Sequence, residues 1–154
     1  MGNPRIVSDS IVIDTPREVI FAILTDPSAH YEIDGSDSVQ GVTSTRGGRK
    51  LGLGDRFGMN MKMGVPYKTR NTVVEYEENR LIAWQHFAKH TWRYELEDCE
   101  SGRTRVTEYW DWSRSPYALL MELAGFPDRN RKGISASLIK LKAVAEQRAS
   151  AANG

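Results

Sequence analysis

Two histidines and a glutamate are the side chains in this sequence with the clearest capacity for chemistry. His86 and His90 flank a predicted turn, and Glu108 lies in a later predicted strand that also holds Trp110. A carboxylate surrounded by indoles loses hydration, which raises its pKa and suits it to general acid or base work. The same carboxylate could instead hydrogen-bond an indole N–H or His90 in a purely structural role. Both interpretations remain open from the sequence.

The spacing of the two histidines does not predict a metal site. His86 and His90 have the i, i+4 spacing that binds zinc from a helix, but here they flank a turn. No third ligand follows in a matching pattern, and Cys99 is the single cysteine. We therefore predict no metal and no cofactor. The two imidazoles could donate to a ligand carbonyl or shuttle a proton, or could be ordinary strand-end residues, and His30 is expected on a helix surface.

All four tryptophans lie between Trp84 and Trp112, in a region where inward and outward positions alternate. Around Trp92 the even-numbered residues are apolar or aromatic and the odd-numbered ones are charged, so even positions are predicted to face inward. Broad aromatics with a few convergent polar groups are typical of a small-molecule cavity, whereas a plain core favours Leu, Ile and Val. The predicted inward set is Ile82, Trp84, His86, His90, Trp92, Tyr94, Leu96, Val106, Glu108, Trp110 and Trp112.

The two hairpin turns predict which inward residues lie opposite one another. A turn centred near Ala88 places Trp84 opposite Trp92 and His86 opposite His90. A second turn, centred near Glu100, places Trp92 opposite Glu108. By the same register His90 faces Trp110 and Tyr94 faces Val106. A slip of one residue in either turn would reverse the faces of a strand.

An adaptable apolar wall is predicted from an earlier strand, because methionine is flexible and polarizable. Its alternating apolar positions could equally be core. They are Phe57, Met59, Met61 and Met63. On the next strand Tyr67 is expected to face inward rather than Arg70, since an inward arginine needs a partner.

The elements that position these residues follow from capping and periodicity. Residues 6–13 predict an opening strand, and Thr15, Pro16 and Glu18 predict a capped helix start. A short helix over 28–33 and several hairpin-connected strands up to Trp112 follow. After Pro116, helices are predicted over about 117–126 and 128–148, broken or kinked by Pro127. The apolar stripe of the longer helix is Ile134, Leu138, Leu141 and Ala145.

Composition places the chain among ordinary globular domains. Its 154 residues are 40% hydrophobic and 27% charged, with a net charge of +1, which predicts one domain over residues 1–154 with a frayed tail at about 149–154. The small charge predicts neither a nucleic-acid partner nor an anionic membrane, and no apolar run is long enough for integral membrane association. The start lacks a signal-peptide pattern and there is one cysteine, so a cytoplasmic location is expected. Both a monomer and a homodimer fit the sequence.

Four stretches resemble the START-like or SRPBCC superfamily (Bet v 1-like), in its polyketide cyclase/dehydrase-like branch. They are IVIDTPREVIFAILTDPSAHYEI, NTVVEYEENRLIAW, GRTRVTEYWDW and LIKLKAVAE. The resemblance implies an α+β helix-grip fold, in which a curved antiparallel sheet wraps around a long C-terminal helix with a cavity between them. It implies hydrophobic ligands such as lipids or polyketides and carries over no catalytic residues. The sequence departs from the simplest pattern at Gly125, Phe126 and Pro127, which leaves open the shape of the cavity mouth.

Three functions follow from these observations. The first is binding of a hydrophobic small molecule between the sheet and the long helix. The second is a cyclase or dehydratase that moves protons with Glu108 and His86 or His90. The third is a lipid-delivery or protein-interaction module without chemistry. The candidate ligand-binding residues are Phe57, Met59, Met61, Tyr67, Trp84, His86, His90, Trp92, Tyr94, Glu108, Trp110, Ile134 and Leu138.

Overall fold

The computed structural model describes residues 5–26, 29–33, 39–46, 50–63, 65–86 and 88–153. Within these ranges, seven antiparallel strands form one sheet in the order β1-β7-β6-β5-β4-β3-β2. The strands are β1 (Ile6–Ile13), β2 (Val39–Arg46), β3 (Arg56–Met63), β4 (Val65–Glu77), β5 (Leu81–His86), β6 (Thr91–Asp98) and β7 (Thr104–Asp111). The helices are α1 (Arg17–Leu24), α2 (His30–Ile33), α3 (Ala118–Leu123) and α4 (Phe126–Asn153).

The long helix α4 packs against one side of the sheet. It contacts β1 and β7, and it also contacts α1, α2 and α3. The predicted apolar stripe is confirmed, because all four of its residues are buried in a single core with the inward residues of the sheet. Ser137, which precedes Leu138 in α4, donates a hydrogen bond from Oγ to the Ile33 carbonyl oxygen at 2.6 Å and so connects α4 to α2. The predicted helix-grip architecture is confirmed.

The start of α1 differs from the predicted capping box. The helix begins at Arg17, Pro16 occupies the N-cap position, and no side chain caps the helix. The Thr15 hydroxyl instead donates to the Asp14 carbonyl oxygen at 2.7 Å. Thr15 is buried, and its own carbonyl accepts a hydrogen bond from Thr104 Oγ1 on β7. The contact between the β1–α1 turn and the sheet therefore replaces the local cap that the sequence pattern predicted.

The break between the last two helices lies at Gly125 rather than at Pro127. Gly125 has φ +80°, a left-handed conformation that ends the preceding helical segment, and α4 begins at the next residue. Pro127 therefore sits in the first turn of α4, where its missing N–H costs nothing. The helix continues to Asn153. This differs from the frayed tail expected beyond Ala149.

Candidate functional site

The inward face of β5, β6 and β7 carries a row of three tryptophans. Trp84 is paired with Trp92, and Trp92 is paired with Trp110 on β7. The predicted facing of the even positions on β7 is confirmed, because Val106, Glu108 and Trp110 are all buried there. Trp84, Trp110 and Trp112 are buried, whereas Trp92 is half-buried at the edge of the core.

The register of the second hairpin is two residues away from the prediction. Tyr94, rather than Trp92, lies opposite Glu108, and Leu96 lies opposite Val106. The reason is the turn, which spans five residues between Asp98 and Thr104 and includes a short 3₁₀ segment with Ser101 at φ +62°. The shift is an even number of residues, so the inward set is preserved while the cross-strand partners change.

The first hairpin brings the two imidazoles together as the sequence predicts. The backbone N–H of His86 donates to the His90 carbonyl oxygen at 3.1 Å, and the rings stack with centroids 4.4 Å apart and planes 14° apart. Burial lowers the pKa of His86 to about 3, and the neighbouring His90 lowers it further. Burial alone lowers the pKa of His90 to about 4. Both imidazoles are therefore neutral near pH 7.

A hydrogen bond from Trp110 fixes the tautomer of His90. The indole Nε1–H of Trp110 donates to His90 Nδ1 at 2.9 Å. A neutral imidazole that accepts at Nδ1 carries its proton on Nε2, so the far nitrogen of His90 is a hydrogen-bond donor. Trp110 also stacks on Trp112 at 4.5 Å. The aromatic row thus contacts the imidazole pair through His90.

Helix α3 is attached to the same end of the sheet through Glu122. Its Oε1 accepts hydrogen bonds from Trp112 Nε1 at 3.0 Å and from Arg5 Nε at 2.7 Å. These two donors lower the pKa of Glu122 and keep it ionised. The histidine pair, Trp112 and α3 therefore form one connected region at this end of the molecule.

His30 is a site residue that sequence analysis placed incorrectly on a helix surface. It is buried, its ring stacks on Trp84 with centroids 4.9 Å apart, and it meets Phe57 edge-on at 5.4 Å. Its Nε2 lies 2.9 Å from the Leu24 carbonyl oxygen, so that nitrogen carries the proton. Burial lowers the pKa of His30. The available signal was its spacing of three from Ile33, which is also buried on this four-residue helix.

A second aromatic group forms around Trp84. Phe57 on β3 contacts Trp84 edge-on at 5.7 Å, and Tyr94 lies at 5.7 Å on the other side. Ile134 and Leu138 of α4 are fully buried in the same core. The predicted residues Met59, Met61 and Tyr67 lie in β3 and β4, where Met61 pairs with Tyr67. Their side chains, and that of Met63, lie outside the part of the structure that is described.

Glu108 is 2% exposed and lies opposite Tyr94, two rows of the sheet from the histidines. Residues rise about 3.4 Å each along a strand, so four positions separate it from the level of His90 by roughly 13 Å. The structure therefore brings His86 and His90 together with Trp110, but it does not bring Glu108 to them. No group of three metal-ligating side chains occurs among the described residues, and no helix among them has the length and apolar character to cross a membrane.

Comparison with known proteins agrees with this architecture. Residues 4–146 match a family described as polyketide cyclase / dehydrase and lipid transport. The chain belongs to this family. It is 36% identical over 145 residues, 91% of its length, to the uncharacterized protein Rv0088 of Mycobacterium tuberculosis, and it spans 64% of the length of that relative.

Two solved structures show the same fold at low sequence identity. The ZhuI aromatase/cyclase from Streptomyces sp. R1128 has a TM-score of 0.67 and 16% identity, covering 97% of this chain and 98% of its own. A START superfamily protein from Mycobacterium smegmatis has a TM-score of 0.65 and 17% identity, covering 92% of this chain and 97% of its own. These two likenesses confirm the predicted helix-grip fold, and the family match over residues 4–146 confirms the predicted polyketide cyclase/dehydrase-like family.

Proposed function

We propose that this member of the polyketide cyclase/dehydrase and lipid transport family binds a hydrophobic small molecule between its sheet and α4. The observation that carries the proposal is the pair of neutral imidazoles on the inner face, beside a row of tryptophans. Removing two imidazoles from water costs free energy, and apolar packing of the sheet alone does not require it. A ligand that hydrogen-bonds to the imidazoles would offset that cost. Apolar contact would supply most of the affinity, at roughly 25 cal/mol for each Å² removed from water, and the polar groups would orient the ligand.

Native mass spectrometry of freshly purified protein tests this function. We expect a fraction of the protein to carry a co-purified apolar molecule, released on denaturation and identified by its mass. Replacing His90 with Gln should lower that fraction, whereas replacing the exposed neighbour Lys89 with Gln should not. Protein that carries no apolar molecule, and that binds none when lipid and aromatic extracts are added, would contradict the proposal.

A cyclase or dehydratase activity is the second candidate, and the buried Glu108 carboxylate on the inner face favours it. Because Glu108 lies two rows of the sheet from the histidines, these side chains are too far apart to act on the same substrate atom. Glu108 would have to act on a different part of a long poly-β-ketone. The expected result for an enzyme is that Glu108→Gln abolishes turnover of a synthetic poly-β-ketone while its binding is retained. Unchanged turnover in that variant would remove Glu108 from the reaction.

A further inference from the structure

Asn71 on β4 is a buried polar residue that the candidate site does not yet explain. It pairs with Phe57 on one side and with His86 on the other. Its side chain is therefore in the same cross-strand row as the imidazole pair. Asn71 is 3% exposed, and its Oδ1 has no hydrogen-bond partner among the described residues. A buried acceptor left without a partner is destabilising, and a ligand group that donates a hydrogen bond to it would remove that cost.

The row Asn71–His86–His90 combines a hydrogen-bond acceptor with a donor. Asn71 offers an amide that can accept through Oδ1 and donate through Nδ2. His90 offers Nε2–H, because Trp110 occupies its Nδ1. Trp84, one row away, and Phe57, beside Asn71, supply apolar surface next to these polar atoms. A ligand group that both donates and accepts a hydrogen bond matches this set.

The charges of the inner face argue against an anionic ligand group. The buried polar residues of the described chain include no lysine and no arginine, and Glu108 is the buried acid. A carboxylate placed beside Asn71 would be a buried charge with no buried lysine or arginine among the described residues to pair with it, which is strongly unfavourable. An uncharged hydroxyl carries no such penalty.

On the basis of the proposed function, we propose that Asn71, His86 and His90 bind the polar end of the hydrophobic ligand, and that this end is an uncharged hydroxyl of an alcohol or phenol. The hydroxyl donates its proton to Asn71 Oδ1 and its oxygen accepts from His90 Nε2–H. The assignment adds Asn71 to the site and separates alcohols and phenols from fatty acids and other carboxylates.

Three probes that share one ring system test the assignment: 2-naphthol, 2-naphthoate and naphthalene, titrated into the whole protein at pH 7.5 by calorimetry. We expect 2-naphthol to bind at least tenfold more tightly than either of the others. Asn71→Leu should remove most of the preference for 2-naphthol over naphthalene. The matched control is Thr72→Val, which changes the next residue on the same strand and should leave the preference unchanged.

Thermal unfolding of the unliganded variants gives a second measurement. If Asn71 serves the ligand, Asn71→Leu should not lower Tm, because it replaces a buried amide whose Oδ1 is unpaired with an apolar side chain of similar size. A large fall in Tm would show a structural role and would overturn the assignment. Equal binding of the three probes, or tighter binding of 2-naphthoate, would also overturn it while leaving the proposed function standing. Failure of all three to bind, together with an empty native mass spectrum, would contradict both.

Discussion

The three histidines of the molecule provide polar groups without charge near neutral pH. His30, His86 and His90 all have a lowered pKa, and in each case burial is the largest cause. His90 is held in one tautomer by Trp110, and His30 is held in one by the Leu24 carbonyl. These imidazoles therefore act as fixed hydrogen-bonding groups near neutral pH rather than as cations.

The lowered pKa values predict that the protein loses stability in weak acid. Unfolded histidines bind protons below about pH 6.5, whereas folded His86 and His90 stay neutral down to about pH 3 and 4, so the stabilisation present above pH 6.5 is lost as the pH falls. Between pH 7.5 and pH 5 we expect a loss of about 2 kcal/mol for each imidazole, measured by urea unfolding.

The matched comparison for this pH effect is between two variants. The double variant His86→Gln and His90→Gln should show a much smaller loss of stability between these pH values, because only His30 then titrates from a buried position. Lys89→Gln, between them in the turn, should behave as the parent. Equal losses in all three proteins would contradict the assigned burial of the imidazole pair.

The strands and helices show which parts of the structure local patterns can predict. The alternation in β6 and β7 sets the inward face, and the spacing of four, three and four sets the buried stripe of α4, so both were predictable. The length of the turn after Asp98 was not, because its 3₁₀ segment with Ser101 at positive φ is a conformational choice that composition does not reveal. The burial of His30 was missed since four residues are too few to show a period.

The turn between α3 and α4 depends on the left-handed backbone of Gly125. A Cβ at this position would meet nothing within 4 Å, so Gly125→Ala introduces backbone strain without a steric clash. We expect a loss of about 1 kcal/mol in the free energy of unfolding. Gly52→Ala is the control, since Gly52 is not at positive φ and its nearest new contact is an ordinary 3.6 Å. A neutral Gly125→Ala would contradict this role.

The two faces of α4 should differ sharply in their response to truncation. Leu141 is fully buried against the sheet, and Leu141→Ala leaves a cavity that should cost about 2–5 kcal/mol. Ile139, two positions earlier, is 64% exposed, so Ile139→Ala should change stability by less than about 0.5 kcal/mol. Chemical denaturation measures both. Similar losses in the two variants would mean that α4 is rotated from its described orientation.

At the scale of the whole molecule, the fold was predictable from the sequence, whereas the site was predictable only in part. Residues far apart in sequence, such as Asn71 and His90, come into one cross-strand row only through the register of three strands. Whether a buried polar atom has a hydrogen-bond partner depends on the assembled core. The role of Asn71 could therefore not be predicted from the sequence. The aromatic face was predictable, because a register shift of two residues leaves the same residues of each strand on the inward side of the sheet.

Unfolding is expected to be a single cooperative event, since the inward residues of the sheet and the stripe of α4 belong to one core. The four tryptophans report on the sheet between Trp84 and Trp112, whereas circular dichroism at 222 nm is dominated by the 28-residue helix α4. Most of the stability of a helix in a protein comes from the packing of its apolar face, so α4 should unfold when the sheet does. The two urea transitions should therefore coincide, and Leu141→Ala should move both midpoints equally. A helical signal lost at lower urea than the fluorescence change would show instead that α4 separates from the sheet as an independent unit.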